Sequence, residues 1–199
     1  MVILVTGTSS GFGLAIRRHL VSKGHKVYGS SRNADGSDPY TLAIDVRSAK
    51  SVQLAVDKII EREGRIDVLI NNAGLGDFGY LTDTDINKDL ELINTNIKAL
   101  HILTKYMVRE MENKDTDTYI LNVASAAAFQ PGPLMSTYYA TKSYVYQLTE
   151  ALYYEEKIKK TKVHVSVLCP GPVDTNFNNV ANVKFSVKPL KSTYVAKYA

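Results

Sequence analysis

The stretch Thr6-Gly7-Thr8-Ser9-Ser10-Gly11-Phe12-Gly13 joins two segments whose apolar residues follow different patterns. Before it, Val2–Thr6 is a continuous apolar run rich in β-branched residues, which is typical of a buried strand. After it, apolar residues recur with helical spacing as far as Gly24, at positions Leu14, Ile16, Leu20 and Val21. Because glycine commonly follows the last residue of a helix, the sequence predicts a strand, a tight turn and a helix in this order.

The glycines of this turn lie where a parallel α/β sheet binds the pyrophosphate of a dinucleotide. Gly7 permits the tight turn, Gly11 lets the backbone approach a phosphate, and Gly13 lets the helix pack closely against the strand. The amide N–H groups at the positive end of the helix then attract the anion. A glycine-rich turn with a purely structural role is the alternative.

The rest of the chain repeats this alternation of strands and helices. Strands are predicted at 26–31, 40–45, 66–71, 119–123 and 163–169. Helices are predicted from an N-cap at Ser48 to Gly64, over Asp89–Glu112 and over Thr137–Ile158. Because the strands are continuous apolar runs and not alternating ones, we expect helices on both faces of a parallel sheet. The predicted fold class is α/β with a doubly wound parallel sheet.

The composition fits one folded domain and argues against nucleic acid as a partner. The 199 residues, of which 45% are hydrophobic, are enough for one core, so we expect a single domain over residues 1–199. The net charge is +4, but the basic residues are dispersed apart from one group at a predicted helix end. That group consists of Lys157, Lys159, Lys160 and Lys162. A solvated helix end explains it without a nucleic acid.

Cysteine and histidine usage bear on location and metal binding. The single cysteine, Cys169, cannot form an internal disulfide, and no leader segment with a cleavage site precedes the first strand. These features favour a reducing, cytoplasmic location. The apolar runs are too short to span a bilayer, so no membrane association is expected. The four histidines lack the spacing of zinc ligands, and we therefore predict no metal site.

The end of the second strand bears on the choice between NAD and NADP. A carboxylate at this position would accept a hydrogen bond from a free ribose 2′-hydroxyl. The chain instead reads Ser30-Ser31-Arg32, and a guanidinium favours a 2′-phosphate. The sequence therefore predicts NADP(H) in preference to NAD(H). Two alternatives stay open: Arg32 could be an ordinary surface residue, and Asp35 or Asp38 could approach the ribose.

One of the three tyrosines in Ser136–Tyr144 has a cation one helical turn away. Tyr138 is followed four residues later by Lys142, so the two side chains share a helix face. A nearby ammonium, with the positive ring of an oxidised nicotinamide, would lower the pKa of the phenol toward the range useful for acid–base catalysis. Ser125 follows a predicted strand, at the sheet edge where ligands bind. A surface helix pair and a strand-end hydroxyl are the alternatives.

In combination, these motifs resemble the short-chain dehydrogenase/reductase family, with a resemblance that covers residue 2 to about residue 175. The family's T-G-x-x-x-G-x-G is matched by Thr6–Gly13, and its N-N-A-G by Asn71–Gly74. Asp45, followed by Val46, corresponds to the acidic residue that contacts adenine, and Pro170–Thr175 to the segment that holds the nicotinamide carboxamide. The catalytic tetrad corresponds to Asn96, Ser125, Tyr138 and Lys142.

The resemblance implies a Rossmann-like fold and hydride transfer between NADP(H) and a small-molecule carbonyl or alcohol. Tyr138 is then the proton donor, and Ser125 hydrogen-bonds the carbonyl oxygen. Lys142 binds the nicotinamide ribose, and the backbone of Asn96 binds a water of the proton relay. The implied cofactor-binding set is Gly7, Ser9, Ser10, Gly11, Phe12, Gly13, Arg32, Asp45, Val46, Asn72, Ala73, Gly74, Tyr138, Lys142, Pro170, Gly171, Val173 and Thr175.

Assembly and two further functions also follow from the resemblance. In relatives, the helices that correspond to Asp89–Glu112 and Thr137–Ile158 form a four-helix interface, so a homodimer or homotetramer is expected. The first alternative function is a sensor or regulatory relative that binds NADP(H) without turnover. The second is a structural protein that uses the fold as a scaffold and binds no nucleotide.

The substrate loops and the C-terminal segment depart most from a complete family pattern. Loops 74–81, 126–137 and 176–191 carry residues that predict an apolar pocket or, alternatively, aromatic core packing: Phe78, Tyr80, Phe129, Met135, Phe177 and Phe185. The family usually continues with a helix and a last sheet strand. Here Ser192–Tyr198 resembles only the start of that helix, with Ser192 or Thr193 as its cap. We therefore expect residues 176–199 to hold the substrate loop and a truncated helix, and the last strand to be missing.

Overall fold

Six parallel strands form the central sheet of the protein. A computed structural model describes residues 1–32, 34–177, 181 and 188–199. The strands are β1 (Val2–Val5), β2 (Lys26–Ser31), β3 (Thr41–Ala43), β4 (Val68–Asn71), β5 (Thr118–Val123) and β6 (Val163–Leu168). Their spatial order is β3-β2-β1-β4-β5-β6. Because β2 and β4 lie on opposite sides of β1, a crevice is expected outside the carboxyl ends of β1 and β4.

Helices connect the strands of the sheet. They are α1 (Gly11–Ser22), α2 (Ala49–Glu63), α3 (Ile86–Ile93), α4 (Leu100–Glu112), α5 (Ser136–Lys159) and α6 (Ser192–Val195). A π-helical turn, Asn94–Ala99, joins α3 to α4, and a 3₁₀ turn, Ala126–Phe129, follows β5. The predicted doubly wound α/β fold is confirmed. None of the described helices combines the length and the apolar character that a membrane crossing requires.

Both faces of the sheet are buried, as its apolar strands predict. Along β1, Val2 and Leu4 belong to the core cluster that α2 and α4 cover, while Ile3 and Val5 belong to the cluster that α1 covers. Successive side chains of a strand point to opposite faces, so one apolar strand contributes to both layers. Each of these four side chains is at most 7% exposed. The sheet therefore lies between two layers of helices, and the loops lie at the ends of its strands.

Most element boundaries agree with the sequence prediction to within two residues. The predicted cap of α2 is confirmed: Ser48 accepts a hydrogen bond from the Ser51 amide, and Gly64 ends the helix in the left-handed conformation with φ 73°. The predicted helix over Asp89–Glu112 is wrong in its start and its continuity. It begins at Ile86, because the Asp85 carboxylate caps the amide of Asn87, and the π-helical turn interrupts it.

The C-terminal segment differs from its prediction at its cap. Neither Ser192 nor Thr193 caps α6: Lys191 occupies the N-cap position, and Ser192 is the first helical residue. The physical reason is that a short strand, β8 (Leu190–Lys191), pairs in parallel with β7 (Val173–Asp174) and keeps the backbone extended up to Lys191. The predicted Phe185 of the substrate loop lies outside the described residues.

Candidate functional site

A cavity of about 620 Å³ lies at the carboxyl ends of the central strands. It extends from the glycine turn after β1 to the start of α5, and it is lined by residues from both ends of the chain. All predicted cofactor-binding residues line it, and so do three predicted catalytic residues, namely Ser125, Tyr138 and Lys142. Asn96, the fourth predicted catalytic residue, lies outside the lining. The structure therefore brings nearly the whole predicted set together in one site.

The glycine turn after β1 has a geometry in which larger residues would collide. Gly7 and Gly11 have φ of 69° and 58°, values that favour glycine. A Cβ on Gly13 would lie 2.2 Å from the Gly7 carbonyl oxygen and 2.3 Å from Nδ2 of Asn72. Ser10, at the N-cap of α1, makes no side-chain capping hydrogen bond among the described residues. The residues of the first turn line the cavity and receive no side-chain cap from Ser10, which fits a diphosphate.

The loop after β4 is fastened to the glycine turn. Oγ1 of Thr6 accepts hydrogen bonds from the backbone amides of Asn72 and Ala73, at 2.9 and 3.0 Å. Nδ2 of Asn72 donates to the Thr6 carbonyl oxygen at 3.0 Å. Within the sheet, Nδ2 of Asn71 donates to Oδ1 of Asn122 at 2.9 Å. The N-N-A-G motif thus ties β1, β4 and β5 together beneath the cavity.

Two arginines and two carboxylates meet at the end of the cavity beyond β2 and β3. The Arg47 guanidinium donates to both oxygens of Asp45, through Nε at 2.9 Å and Nη2 at 3.0 Å. This contact holds the pKa of Asp45 below its usual value. The guanidinium groups of Arg32 and Arg47 both donate to Oε1 of Glu91, at 3.1 and 3.2 Å. Arg32 therefore lies at the predicted end of the cavity, in contact with a carboxylate.

Sequence reasoning missed Arg47 and Glu91 at this end of the cavity. Arg47 directly follows Asp45-Val46, the pair predicted to contact adenine, so its place in the sequence could have indicated a residue of this site. Glu91 is 59 residues from Arg32 in the sequence, and no local pattern connects the two. The carboxylates considered as alternatives are engaged elsewhere. Asp38 pairs with Arg17 and Thr41, which lowers its pKa to about 2, and Asp35 accepts from Ser37.

Ser125 and Tyr138 form the hydroxyl pair of the candidate active site. Ser125 begins the 3₁₀ turn after β5, and its Oγ accepts a hydrogen bond from the Ala127 amide at 3.2 Å. Tyr138 lies in the first turns of α5 and is partly buried in the cavity wall. Burial raises the pKa of Tyr138 to about 12, and a hydrogen bond with Ser125 acts in the opposite direction. The phenol is therefore neutral and able to donate a proton at neutral pH.

Lys142 is buried one turn further along α5. Its Nζ donates a hydrogen bond to the Val123 carbonyl oxygen at 2.9 Å and lies 5.8 Å from the centre of the Tyr138 ring. The predicted shared helix face is thus observed. The predicted lowering of the Tyr138 pKa is wrong for the protein's own groups: desolvation of the phenol outweighs its hydrogen bond. Burial also lowers the pKa of Lys142 to about 8, which weakens the ammonium as a source of positive charge.

Asn96 organises the wall behind Lys142. It is 1% exposed and lies in the π-helical turn. Its Oδ1 accepts from the Leu75 amide at 2.8 Å, and its Nδ2 donates to the Leu75 carbonyl oxygen at 2.9 Å and to Oγ1 of Thr141 at 3.0 Å. π-Helical turns displace the regular backbone hydrogen bonds and are frequent at functional sites. Both polar atoms of the Asn96 side chain therefore have protein partners. The predicted contact with a water molecule is left to the backbone of this residue.

The substrate side of the cavity is apolar. The ring of Phe177 packs against Tyr138 with centroids 5.3 Å apart, and Met135 and Ala181 are buried in the same cluster. Phe78, Tyr80 and Phe129 are not part of it: they are 40%, 68% and 61% exposed, and they do not line the cavity. The predicted apolar pocket therefore rests on Met135 and Phe177 among the described loop residues. No group of three or more metal-ligating side chains occurs within the described ranges.

The comparisons with known proteins agree on one family. A family model described as short chain dehydrogenase matches residues 1–184. A 3-ketodihydrosphingosine reductase of Bacteroides thetaiotaomicron is 34% identical over 187 residues, which is 92% of this chain and 67% of that protein. A protein of Haemophilus influenzae named "Probable NADP-dependent dehydrogenase" is 33% identical over 89% of this chain and 73% of its own.

A solved structure gives the same result for the fold. The 3-ketoacyl-(acyl-carrier-protein) reductase of Brucella melitensis, in complex with NADH, superposes with a TM-score of 0.88 and 26% sequence identity. The match covers 99% of this chain and 88% of that one.

Proposed function

Because the chain belongs to the short-chain dehydrogenase family, we propose that it is an NADP(H)-dependent oxidoreductase that interconverts a carbonyl compound and an alcohol. By its family, the chain is an NAD(P)-dependent short-chain dehydrogenase/reductase. The preference for NADP(H), the substrate and the roles of the residues are our proposals. The observation that carries the proposed oxidoreductase activity is the presence, in one cavity, of a glycine turn suited to a diphosphate and the group Ser125, Tyr138 and Lys142.

The nicotinamide of the bound cofactor supplies the hydride. Tyr138 gives its hydroxyl proton to the carbonyl oxygen of the substrate, for which a raised pKa keeps it protonated. Ser125 donates a hydrogen bond to the same oxygen, where negative charge develops during reduction. Its contact with Tyr138 places the two hydroxyls next to each other, so that one oxygen atom can meet both.

Lys142 acts on the proton donor and on the cofactor ribose. With a pKa of about 8, its ammonium loses a proton more readily than an exposed lysine does, which suits a group that resupplies a proton. A Cβ built on Gly74 would lie 3.6 Å from Nζ of Lys142 and 3.4 Å from Oδ1 of Asn96. Lys142 and Asn96 thus flank the same backbone position, and we assign to the Asn96 backbone the water that links them to solvent.

The preference for NADP(H) is supported by Arg32 at the cavity end and by the engagement of Asp35 and Asp38 with other partners. The two described carboxylates at this end, Asp45 and Glu91, both pair with arginine, so neither is free to accept a hydrogen bond from a ribose 2′-hydroxyl. One relative is named as NADP-dependent and another was solved with NADH. The arginine therefore carries this proposal.

A small-molecule carbonyl or alcohol with apolar character is the proposed substrate class. Met135 and Phe177 offer apolar surface next to the Tyr138 ring, and the reactive hydroxyls supply the few polar contacts. One relative is named as a 3-ketodihydrosphingosine reductase and another as a 3-ketoacyl-(acyl-carrier-protein) reductase, and a ketone substrate agrees with this proposal.

We further propose a homodimer or homotetramer in a reducing, cytoplasmic setting. Tyr153 and Tyr154 of α5 are 45% and 54% exposed, so this long helix presents apolar area beyond what the sheet covers. A chain with one cysteine needs no oxidising compartment.

The second candidate function, a sensor that binds NADP(H) without turnover, is disfavoured because Ser125, Tyr138 and Lys142 all line the cavity.

The deciding experiment measures binding and turnover separately. NADPH fluorescence reports binding, and the loss of NADPH absorbance with a panel of aldehydes, ketones and quinones reports turnover. Tyr138→Phe should bind NADPH but lose turnover by roughly 10³-fold or more, because the proton donor is gone. Tyr198→Phe, the same change at an exposed position outside the cavity lining, should keep both. Retained turnover in Tyr138→Phe would exclude the mechanism, and binding without turnover in the wild type would favour the sensor.

A further inference from the structure

We propose that Arg47 acts with Arg32 as a two-guanidinium site for the 2′-phosphate of NADP(H), and that Glu91 is an internal anion that competes for this site. The inference rests on the proposed function, because it concerns the same nucleotide. It adds a second phosphate ligand and a residue that sets how strongly the protein distinguishes NADPH from NADH.

The two guanidinium groups converge on one oxygen atom. Nη1 of Arg32 lies 3.1 Å from Oε1 of Glu91, and Nη1 of Arg47 lies 3.2 Å from the same oxygen. Both arginines line the cavity, whereas Glu91 approaches them from α3 and is not part of the lining. A single anionic group on the cavity side can therefore meet both N–H donors at once.

Arg47 is oriented for this contact by its other edge. Its Nε and Nη2 donate to the two oxygens of Asp45, at 2.9 and 3.0 Å, and its backbone amide also donates to Asp45. The planar guanidinium has five donors in a fixed arrangement, so fixing one edge also fixes the direction of Nη1. Little side-chain entropy is then lost when an anion binds to Nη1.

A phosphate should displace the carboxylate from these donors. Glu91 offers one oxygen to both arginines, so each guanidinium receives a shared partner, while a phosphate monoester has three acceptor oxygens and a larger charge. The side chains of Arg32, Arg47 and Glu91 are 57%, 34% and 39% exposed. At such exposure the Glu91 contacts are weak and exchangeable. Glu91 thus lowers the affinity for NADPH while it neutralises the arginines in its absence.

A purely structural role is the competing explanation. Arg47 would then stabilise the turn after β3 through Asp45, and Glu91 would connect that turn to α3 through its ion pair with Arg47. In this case substitutions would change the affinities for NADPH and NADH by the same factor, because the two nucleotides differ only in the 2′-phosphate. The ratio of the two dissociation constants therefore separates the explanations.

The experiment is the binding of NADPH and NADH, each followed by nucleotide fluorescence, to the wild type and to Arg47→Gln and Glu91→Gln. Arg47→Gln should reduce the preference for NADPH over NADH roughly tenfold, through loss of a charge-assisted hydrogen bond. Glu91→Gln should raise that preference roughly threefold, through loss of an exposed competing charge. Arg18→Gln and Glu61→Gln make the same charge changes at exposed positions of α1 and α2 and should leave the ratio unchanged.

Each outcome has a distinct meaning. Equal changes in the affinities for NADPH and NADH in both variants would overturn the two-guanidinium site and leave the dinucleotide proposal intact. Failure of the wild type to bind either nucleotide would overturn the proposed function, and the inference with it. Arg47→Lys keeps the charge but not the planar fork, so its preference for NADPH over NADH should lie between those of the wild type and Arg47→Gln. Its affinity for NADH, which should equal that of the wild type, shows that the variant is folded.

Discussion

Lys142 is a buried lysine whose ammonium donates a hydrogen bond to the Val123 carbonyl oxygen. It is 6% exposed, and burial lowers its pKa to about 8 from the ordinary 10.5. Between these two values the unfolded chain binds a proton that the folded chain has lost. Folding stability should therefore rise with pH across this window.

Lys142→Met should remove this dependence on pH. From pH 7 to pH 10.5 the free energy of unfolding of the wild type should rise, relative to that of Lys142→Met, by roughly 3 kcal/mol. Denaturant unfolding of both proteins at several pH values measures the difference, and titration of the other groups cancels in it. A difference that is constant with pH would show that Lys142 is not desolvated in the folded protein.

Gly13→Ala tests the close contact between α1 and the glycine turn. The added Cβ would collide with the Gly7 carbonyl oxygen, a backbone atom that cannot shift without moving the turn. We therefore expect the free energy of unfolding to fall by about 3 kcal/mol. Nucleotide binding should also be lost. Gly171→Ala is the matched control for stability. Its Cβ would meet no atom of the described residues within 4 Å, and the change should cost less than about 0.5 kcal/mol. Thermal unfolding of both variants checks the prediction.

At the residue scale, the sequence predicted positions better than it predicted energies. Spacing along a helix placed Tyr138 and Lys142 on one face, as observed. The pKa of Tyr138 depends on how deeply the phenol is buried and on where the ammonium donates its hydrogen bond, and spacing contains neither quantity. Glu91 could not be predicted for a related reason, since its partners come from distant parts of the chain.

Among the elements, the segment from α3 through the π-helical turn to α4 connects the sheet to the cavity wall. Its π-helical turn lets Asn96 point inward and hydrogen-bond both backbone groups of Leu75. A periodicity of apolar residues does not distinguish a continuous helix from one that contains such a turn, because both keep one face apolar. The predicted single helix was therefore wrong in this respect, while the caps of α2, which depend on local residue types, were confirmed.

Asn96→Ala should destabilise the protein by about 3 kcal/mol, because it removes a buried amide and leaves both Leu75 backbone groups without that partner. Asn87→Ala makes the same chemical change at an exposed position of α3, where the side-chain amide donates a hydrogen bond to Asp85, and should cost less than about 0.5 kcal/mol. Urea unfolding measures both effects. Equal costs for the two variants would show that the π-helical turn does not depend on the asparagine.

At the scale of the whole molecule, the order of strands and the place of the cavity could be predicted, because parallel strands with helical connections allow few arrangements. The pairing of β7 with β8 could not, since two-residue strands have no periodicity. This pairing carries the chain from the cavity edge to α6, and Ala196, directly after α6, is buried in the core cluster that contains Ile16 of α1.

NADPH should stabilise the whole domain, because its proposed contacts come from segments at both ends of the chain. At a free concentration 100 times its dissociation constant, the gain is about 2.7 kcal/mol, or roughly 5–10 °C in Tm for a domain of this size. Thermal unfolding with and without NADPH measures it. Gly13→Ala should show no such shift, and a larger shift with NADH than with NADPH at equal concentration would contradict the proposed preference.

The tie between Thr6 and the loop after β4 has a consequence for biosynthesis. Thr6 donates its amide to the Ile70 carbonyl oxygen, and its hydroxyl accepts from the amides of Asn72 and Ala73. The phosphate cradle at the start of the chain is therefore incomplete until these residues, more than sixty positions later, have emerged from the ribosome. Nucleotide should not protect a nascent chain stalled before β4 from proteolysis, whereas it should partly protect one stalled after β5.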